Sequence, residues 1–288
     1  MLFYVYLTLG ILCGLSALVF CPVAPTLAGW FIAPLVAFVM ALGFVLLHLL
    51  VLVIAALSLD LEKPFYERSK AYRRFVEVSL RAIAPLCGVR MHVTGFDKLP
   101  TDRRYFFTCN HRSNFDPLLT LALLSKKQET VFVSKAENNK IPFFGSLMSG
   151  YGTLTLVRED DRSGVKMVID AIKIIKENRG SIAIYPEGWS NLTREVLLPL
   201  RAGAFKVPLK TKAPIAVATI QNTRHIARRI LLGGTDVYLD VLRVIEPEEY
   251  EGLSTNELAD MVSSIMKANL ENPAPDRKIF KNQVPDKK

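Results

Sequence analysis

The sequence predicts an α/β fold in which a largely parallel sheet is flanked by helices and preceded by an N-terminal membrane hairpin of two apolar helices. Residues 1–59 contain no Asp, Glu, Lys or Arg, so all the charge of the chain lies from Asp60 onward. After that point short β-branched and aromatic segments alternate with amphipathic ones, which is typical of a layered α/β domain. Polar motifs follow several of the predicted strands, where such folds bind ligands.

The charge-free segment contains two apolar runs that a turn with Pro and Gly separates. Leu2 to Phe20 and Leu35 to Leu59 are each long enough to cross a bilayer as a helix. The first run lacks the basic start of a signal peptide. We therefore expect residues 1–59 to form a membrane hairpin. The alternative is a re-entrant or interfacial pair of helices that never crosses.

Basic residues follow the second run at once, including Lys63, Arg68 and Lys70. The positive-inside rule places them in the cytoplasm. We expect a membrane protein, in the inner membrane if it is bacterial, whose domain at residues 60–288 faces the cytoplasm. Residues 64–86 mix apolar and basic side chains, which predicts either an interfacial helix on the lipid headgroups or an ordinary domain helix.

Periodicity predicts the elements of the domain in order. The clearest helix covers residues 161–178, where apolar residues recur at helical spacing and Gly180 follows as a stop signal. The other predicted helices cover residues 117–125, 142–149, 202–211 and 255–270. Strands are predicted at residues 90–95, 105–109, 130–134, 153–157, 181–185, 215–220 and 237–244.

Composition limits the function classes. The net charge of +9 sits on a domain behind an apolar anchor, which favours anionic lipid or a phosphorylated substrate. No nucleic-acid-binding motif is present, so we expect no nucleic-acid partner. The four cysteines show no CxxC spacing, and His48, His92 and His225 have no ligand-spaced partners. We therefore expect reduced thiols and no metal.

The candidate catalytic stretch is residues 110–116, which carries an imidazole and a carboxylate with four residues between them. His111 has the chemistry of a general base, and Asp116 on its other ring nitrogen would fix the tautomer. On one helix the two side chains would be about 500° apart in rotation. The pattern therefore favours a strand, a turn holding His111 and a helix capped by Asp116 with Pro117 at its first position. The alternative is that Asp116 only caps that helix and His111 is a surface loop residue.

Two further motifs follow predicted strands. Arg158 ends residues 150–158, where a guanidinium is suited to bidentate phosphate binding; a surface ion pair with Glu159 or Asp160 is the alternative. Glu187 and Gly188 follow another strand, where they form either a turn over a substrate or a plain turn. Around Pro214 we expect only a strand start.

Together these stretches resemble the glycerolipid acyltransferase family, specifically the 1-acylglycerol-3-phosphate acyltransferases. Residues 110–116 look like its His-x4-Asp block. The other family blocks follow in the same order. Residues 134–145 resemble the Lys-x-Glu and Pro-x-x-Gly passage, and residues 152–158 resemble the second block, which ends in Arg. Residues 185–188 resemble the third block, Phe-Pro-Glu-Gly, residues 202–206 the Gly-Ala-Phe passage, and residues 213–215 the fourth block. The resemblance covers about residues 90–220.

The resemblance implies a glycerol-phosphate acyltransferase-like fold and transfer of a fatty acyl chain from acyl-coenzyme A or acyl carrier protein. The acceptor would be the sn-2 hydroxyl of lysophosphatidic acid and the product phosphatidic acid, with membrane phospholipid around the site and no cofactor. His111 would be the general base and Asp116 its orienting partner. The implied substrate-binding residues are Arg158, Glu187, Gly188, Lys135 and Asn110.

One departure concerns the acceptor. Relatives usually continue Glu-Gly with Thr-Arg, and that Arg helps to hold phosphate, whereas this chain has Trp189 and Ser190. A different lyso-lipid acceptor, or a phosphate held by Arg158 with other basic residues, is therefore an open alternative. A catalytically silent membrane lipid-binding protein is another, although the intact pair of His111 and Asp116 argues against it.

Overall fold

The computed structural model describes residues 2–20, 27–58, 69–140, 144–157, 160–230 and 233–279. Within them seven strands form one sheet, with the bounds β1 Val89–Thr94, β2 Phe106–Cys109, β3 Thr130–Lys135, β4 Leu154–Leu156, β5 Ser181–Ile184, β6 Ile215–Gln221 and β7 Thr235–Ile245. The strand order is β1-β7-β6-β2-β5-β3-β4. All neighbouring pairs are parallel except β6 with β7. The predicted largely parallel sheet flanked by helices is thus confirmed.

The described helices are α1 Leu2–Phe20, α2 Leu27–Leu57, α3 Lys70–Leu86, α4 Phe115–Leu124, α5 Phe144–Tyr151, α6 Asp161–Lys176, α7 Lys206–Thr211, α8 Ile226–Arg229 and α9 Thr255–Glu271. Local capping explains two of the starts. Asp160 accepts the Arg162 amide before α6, and Ser254 forms a capping box with Glu257 before α9. The sequence did not predict α8, because four residues are too few to show a helical period.

The central strands are buried on both faces, as parallel strands between helix layers usually are. Phe107 belongs to an apolar cluster with Val76, Leu80 and Leu119, which links the sheet to α3 and α4. The preceding residue, Phe106, belongs to the cluster on the opposite face, with Ile182, Phe205, Met167 and Val262 among its members. Burial on both sides leaves the ends of the strands as the accessible part of the sheet.

Helices α1 and α2 pack closely through small residues. A Cβ added at Gly10 would lie 2.6 Å from the Ala37 carbonyl oxygen, and one at Gly14 would lie 2.7 Å from that of Ala33. Small residues at such an interface let two helix backbones approach each other, as is common between membrane helices. The interface explains why glycine recurs at a four-residue interval in α1.

Most other side chains described in α1 and α2 are exposed and apolar, for example Phe31, Phe38 and Ile54. Within the described part of the chain, Phe31–Ala55 is the one helical stretch long and apolar enough to cross a membrane, and the apolar stretch Val5–Ala17 is shorter. This surface indicates a membrane location. The second crossing and the division at residue 59 stay predictions, since residues 21–26 and 59–68 lie outside the described residues.

Helix α3 packs its apolar side into the domain. Val76 and Leu80 are fully buried, and Ser79 Oγ lies 2.7 Å from His48 Nε2 of α2. The buried Arg73 donates to Glu129 at 2.6 Å. These contacts fit the interpretation of α3 as a domain helix. Contact of residues 64–86 with lipid headgroups stays a prediction.

Candidate active site

The candidate site lies where the loops after three adjacent strands meet. Strand β2 pairs in parallel with β5 on one side and β6 on the other. Their carboxyl ends therefore share one edge of the sheet, where open α/β sheets place ligand sites. His111 follows β2, and Glu187 and Ser190 follow β5. The topology thus brings together two motifs that are far apart in the sequence.

His111 and Asp116 form a direct hydrogen bond, with 2.8 Å between Nδ1 and Oδ2. The same Asp116 oxygen accepts the amide hydrogens of Arg112 at 2.6 Å and Ser113 at 2.7 Å. Asp116 is fully buried, whereas 14% of the His111 side chain is exposed. The two side chains are therefore brought together as the sequence predicted.

The predicted capping role of Asp116 is wrong. Helix α4 begins at Phe115, Asn114 takes the cap position without a side-chain bond, and Asp116 lies inside the first turn. From there its carboxylate reaches back to the loop that carries His111. The reason is that Asp followed by Pro is common both at the cap and in the first turn. In either position the carboxylate can accept hydrogen bonds from backbone amides that lack a partner within the helix.

The Asp116 contact determines which ring nitrogen of His111 is available. Because an ionised carboxylate only accepts hydrogen bonds, Nδ1 carries the proton and Nε2 keeps its lone pair. Ser190 Oγ lies 3.0 Å from Nε2. The basic nitrogen of the imidazole therefore already contacts a hydroxyl group.

Glu187 supports the backbone at His111. It is 2% exposed, and its Oε1 accepts the His111 amide hydrogen at 2.6 Å while Oε2 accepts that of Leu198 at 2.9 Å. Burial raises the pKa of the Glu187 carboxyl, and the two amide donors and the Arg112 guanidinium oppose that rise. Both carboxylate oxygens are thus engaged by the protein itself.

Tyr185 was not singled out from the sequence as a site residue. Its ring stacks on the His111 imidazole with 4.6 Å between the centroids, and its hydroxyl donates to Thr120 Oγ1 at 3.1 Å. Burial raises the pKa of the Tyr185 phenol. The sequence shows an aromatic residue at the end of β5, but it does not show that this residue stacks on His111.

Asn110 lies in the core rather than at an open surface. It is 1% exposed, it donates to the Ile220 carbonyl at 3.0 Å and it accepts the Ile220 amide hydrogen at 2.7 Å. The side chain therefore links the end of β2 to β6. These two hydrogen bonds explain why an asparagine, whose side chain can both donate and accept, precedes His111.

The remaining sequence-predicted residues lie around the loop after β5. Gly188 has φ +73°, a left-handed backbone conformation that favours glycine, and the Arg201 side chain lies over it, 2.6 Å from where a Cβ would be. Lys135, at the end of β3, places Nζ 5.3 Å from the centre of the half-exposed Trp189 ring. Arg158 lies outside the described residues, and its contact with phosphate stays a prediction.

Comparison with known proteins gives consistent matches. The acyltransferase family model matches residues 90–221. A 1-acyl-sn-glycerol-3-phosphate acyltransferase of Borreliella burgdorferi is 30% identical over 171 residues, which is 58% of this chain and 67% of that protein. The Escherichia coli protein of the same name is 27% identical over 192 residues, which is 65% of this chain and 76% of the Escherichia coli protein.

One solved structure resembles the fold. It is the 1-acyl-sn-glycerophosphate acyltransferase of Thermotoga maritima, with a TM-score of 0.54 and 21% sequence identity. The match covers 70% of this chain and 81% of that one. At this identity the likeness concerns the fold alone, which is the same mainly parallel sheet with helices on both faces.

Proposed function

Because this chain belongs to the 1-acyl-sn-glycerol-3-phosphate acyltransferase family, we propose that it transfers a fatty acyl group from a thioester to the sn-2 hydroxyl of lysophosphatidic acid. The product is phosphatidic acid, and the free thiol of the donor is released. The donor is acyl-coenzyme A or acyl carrier protein thioester. No bound cofactor is needed, because a thioester is already activated toward attack by an oxygen nucleophile.

The observation that carries the proposal is the orientation of His111. Nδ1 is held by Asp116 at 2.8 Å, and Nε2 lies within hydrogen-bond distance of a hydroxyl, that of Ser190 at 3.0 Å. A general base must reach the proton that it removes, and this nitrogen reaches an alcohol group in its present position. An acceptor hydroxyl placed at Nε2 loses its proton there as its oxygen attacks a carbonyl carbon.

Asp116 has two roles in this step. It keeps the proton of the neutral imidazole on Nδ1, and it stabilises the imidazolium that forms when Nε2 takes a second proton. The amides of Arg112 and Ser113 hold the same carboxylate oxygen, so the carboxylate cannot turn away from the ring. The imidazolium then returns its proton to the leaving thiolate.

The acceptor phosphate is held by the basic residues around the loop after β5. Lys135 reaches this loop through its contact with Trp189, and the exposed Arg201 lies over Gly188. We assign phosphate binding to Lys135 and Arg158, with Glu187 and Gly188 shaping the loop and Asn110 fixing the strand end behind it. Cations elsewhere must take this role because Ser190 stands where relatives carry Arg.

The membrane supplies the acceptor. Phe31–Ala55 carries the apolar surface that anchors the chain, and the basic residues after α2 indicate that the domain faces the cytoplasm. In that orientation the acceptor and the product stay in the phospholipid layer. The donor thioester, whether coenzyme A or acyl carrier protein, approaches from the water.

Product analysis tests the proposal. The purified full chain in phospholipid vesicles is incubated with labelled acyl-coenzyme A or acyl carrier protein thioester and a panel of lyso-lipids. We expect labelled phosphatidic acid from lysophosphatidic acid and faster turnover of that acceptor than of lyso-lipids whose phosphate carries a further headgroup. A protein that binds lysophosphatidic acid but never consumes either thioester would instead be the silent lipid-binding protein. Faster turnover of another acceptor would reassign the substrate.

A further inference from the structure

A run of basic residues beside the candidate site has no role in the acyl transfer proposed above. Between Glu195 and Asp236 the chain has seven Lys or Arg residues and no Asp or Glu. Three of the arginines lie in one short stretch after β6, in the sequence Thr-Arg-His-Ile-Ala-Arg-Arg of residues 223–229, the arginine turn. Since β6 runs parallel to β2, this stretch leaves the sheet at the edge that carries His111.

The arginine turn is fixed in place by its apolar residue. Ile226 is fully buried in the apolar cluster that includes Leu119 of α4. Arg228 is exposed, and Arg224 precedes it by four residues, a spacing that places side chains on one side of a helix. Burial lowers the pKa of His225, and the charges of the neighbouring arginines lower it further. The turn thus presents positive charge that its own residues do not neutralise.

Arg224 connects the arginine turn to the loop after β5. Its Nη2 donates to the Leu192 carbonyl oxygen at 3.0 Å, in the loop that carries Ser190. Its Nη1 is buried and has no hydrogen-bond partner among the described residues. Burial and then the Arg224 charge lower the pKa of Arg112, the residue after His111. A buried N–H group without an acceptor is costly, and a bound anion would supply the acceptor.

The next acid along the chain is already paired. The Asp236 carboxylate accepts hydrogen bonds from Arg90 at 2.9 and 2.8 Å, and it lies 2.9 Å from His92 Nε2. The Arg90 bonds, with the contact to His92, hold the pKa of Asp236 well below its usual range. Asp236 therefore balances the charge of residues on β1.

We propose that the arginine turn binds the phosphate groups of the acyl donor, an inference that rests on the acyltransferase function proposed above. Both donor carriers have phosphate at the far end of the pantetheine arm. Coenzyme A has a diphosphate and a phosphate on its ribose, and acyl carrier protein has a phosphodiester. Because the arm is long, the phosphates bind away from the base while the thioester reaches His111. Arginine suits this role because it keeps its charge and binds phosphate bidentately.

The position of the turn in the sheet assigns it to the donor rather than to the acceptor. The acceptor phosphate is assigned to Lys135 after β3 and Arg158 after β4, which lie beyond β5 on one side of β2. The arginine turn follows β6, on the other side of β2. A direct transfer brings two substrates to one base. A phosphate site on each side of His111 lets the thioester and the acceptor hydroxyl meet between them.

Donor kinetics of Arg228→Glu, measured with the full chain in phosphatidylcholine vesicles, test the proposal. Arg228 is exposed, so the substitution leaves the core intact. We expect the donor KM to rise roughly tenfold or more, with little change in kcat and none in the KM of lysophosphatidic acid. Acyl-coenzyme A and acyl carrier protein thioester are measured separately, and a rise with one of them assigns the turn to that carrier. Acyl-pantetheine has no phosphate, so both enzymes should transfer its acyl group equally.

Lys210→Glu is the matched control. Lys210 is exposed on α7, which precedes β6, so the same charge reversal is made at the opposite end of that strand. Its donor KM should equal that of the unsubstituted enzyme. Added salt should raise the donor KM of the control more than that of Arg228→Glu, because exposed charges are screened.

Binding of free coenzyme A gives a measurement that does not depend on transfer. By titration calorimetry we expect Arg228→Glu to bind it roughly tenfold more weakly than Lys210→Glu does. The proposal is overturned by an unchanged donor KM with both carriers or by an equal rise with acyl-pantetheine. A rise in the KM of lysophosphatidic acid alone also overturns it, because the turn would then hold the acceptor phosphate. Failure of the proposed function appears differently, as no transfer from any thioester by the unsubstituted enzyme.

Discussion

At the residue scale, the His111 imidazole is constrained from several directions. Asp116 holds Nδ1, the Tyr185 ring covers one face, and Glu187 holds the backbone amide. Catalytic side chains work when packing and surrounding hydrogen bonds lock their rotamers, since small displacements cost large factors in rate. The contacts of the protein leave only Nε2 for a reacting hydroxyl.

Glu187→Gln tests whether this support matters. Both carboxylate oxygens accept an amide hydrogen, so the NH2 group of glutamine must face either the His111 or the Leu198 amide. A buried donor without an acceptor costs ~1–3 kcal/mol. We expect a lower melting temperature and a marked loss of kcat as His111 shifts.

The matched control for that substitution is Glu248→Gln, at an exposed glutamate in the turn before α9. It should leave both the melting temperature and kcat unchanged. Glu187→Gln with the melting temperature and kcat of the unsubstituted enzyme would show that Glu187 does not support the base.

The sequence predicted a contact between residues that are close in the chain, but not the contacts between residues that are far apart in it. The pairing of His111 with Asp116 was foreseeable because the two residues are close in the chain and a helix could be ruled out by its rotation. The contacts of Tyr185 and Ser190 with the imidazole were not, because those residues lie more than 70 positions further on and meet His111 only through the β2–β5 pairing. The family resemblance implied that Glu187 helps to shape the phosphate site, but it did not predict that Glu187 accepts the amide hydrogens of His111 and Leu198.

At the element scale, most helices and strands begin within a few residues of their predicted positions, because alternation and helical periods are local signals. Strand order is not local, and the sequence did not predict that β2 lies between β5 and β6. The antiparallel β6–β7 pair was also not foreseen. These pairings, rather than the elements themselves, assemble the site.

The packing of α1 on α2 makes a prediction at this scale. A leucine at Gly14 would press on the Ala33 carbonyl oxygen, since a Cβ there already lies 2.7 Å away. Overpacking of this kind costs ~1–3 kcal/mol. We expect Gly14→Leu to lower the melting temperature of the full chain in detergent.

Gly43 of α2 offers the matched control, because a Cβ at that position meets no other atom within 4 Å. Gly43→Leu should melt at or above the temperature of the unsubstituted protein, since leucine favours helix over glycine. Equal melting of Gly14→Leu and Gly43→Leu would exclude the close α1–α2 contact.

At the scale of the whole molecule, helix α2 and the pair of His111 and Asp116 are joined through one apolar layer. Leu52 of α2 belongs to the same buried cluster as Val76 of α3 and Leu119 of α4. Helix α4 is the element that carries Asp116. Helix α2 is thus packed against the helix layer that carries Asp116, which fits the lipid acceptor and product proposed above.

The central claim is that His111 Nε2 removes the proton of the attacking hydroxyl. The most direct test is the single-turnover rate of acyl transfer by His111→Ala, compared with His92→Ala on the edge strand β1. We predict a loss of ~10²-fold or more for His111→Ala, with its fold intact by circular dichroism, and an unchanged rate for His92→Ala. A folded His111→Ala protein that transfers acyl groups at the unsubstituted rate would contradict it.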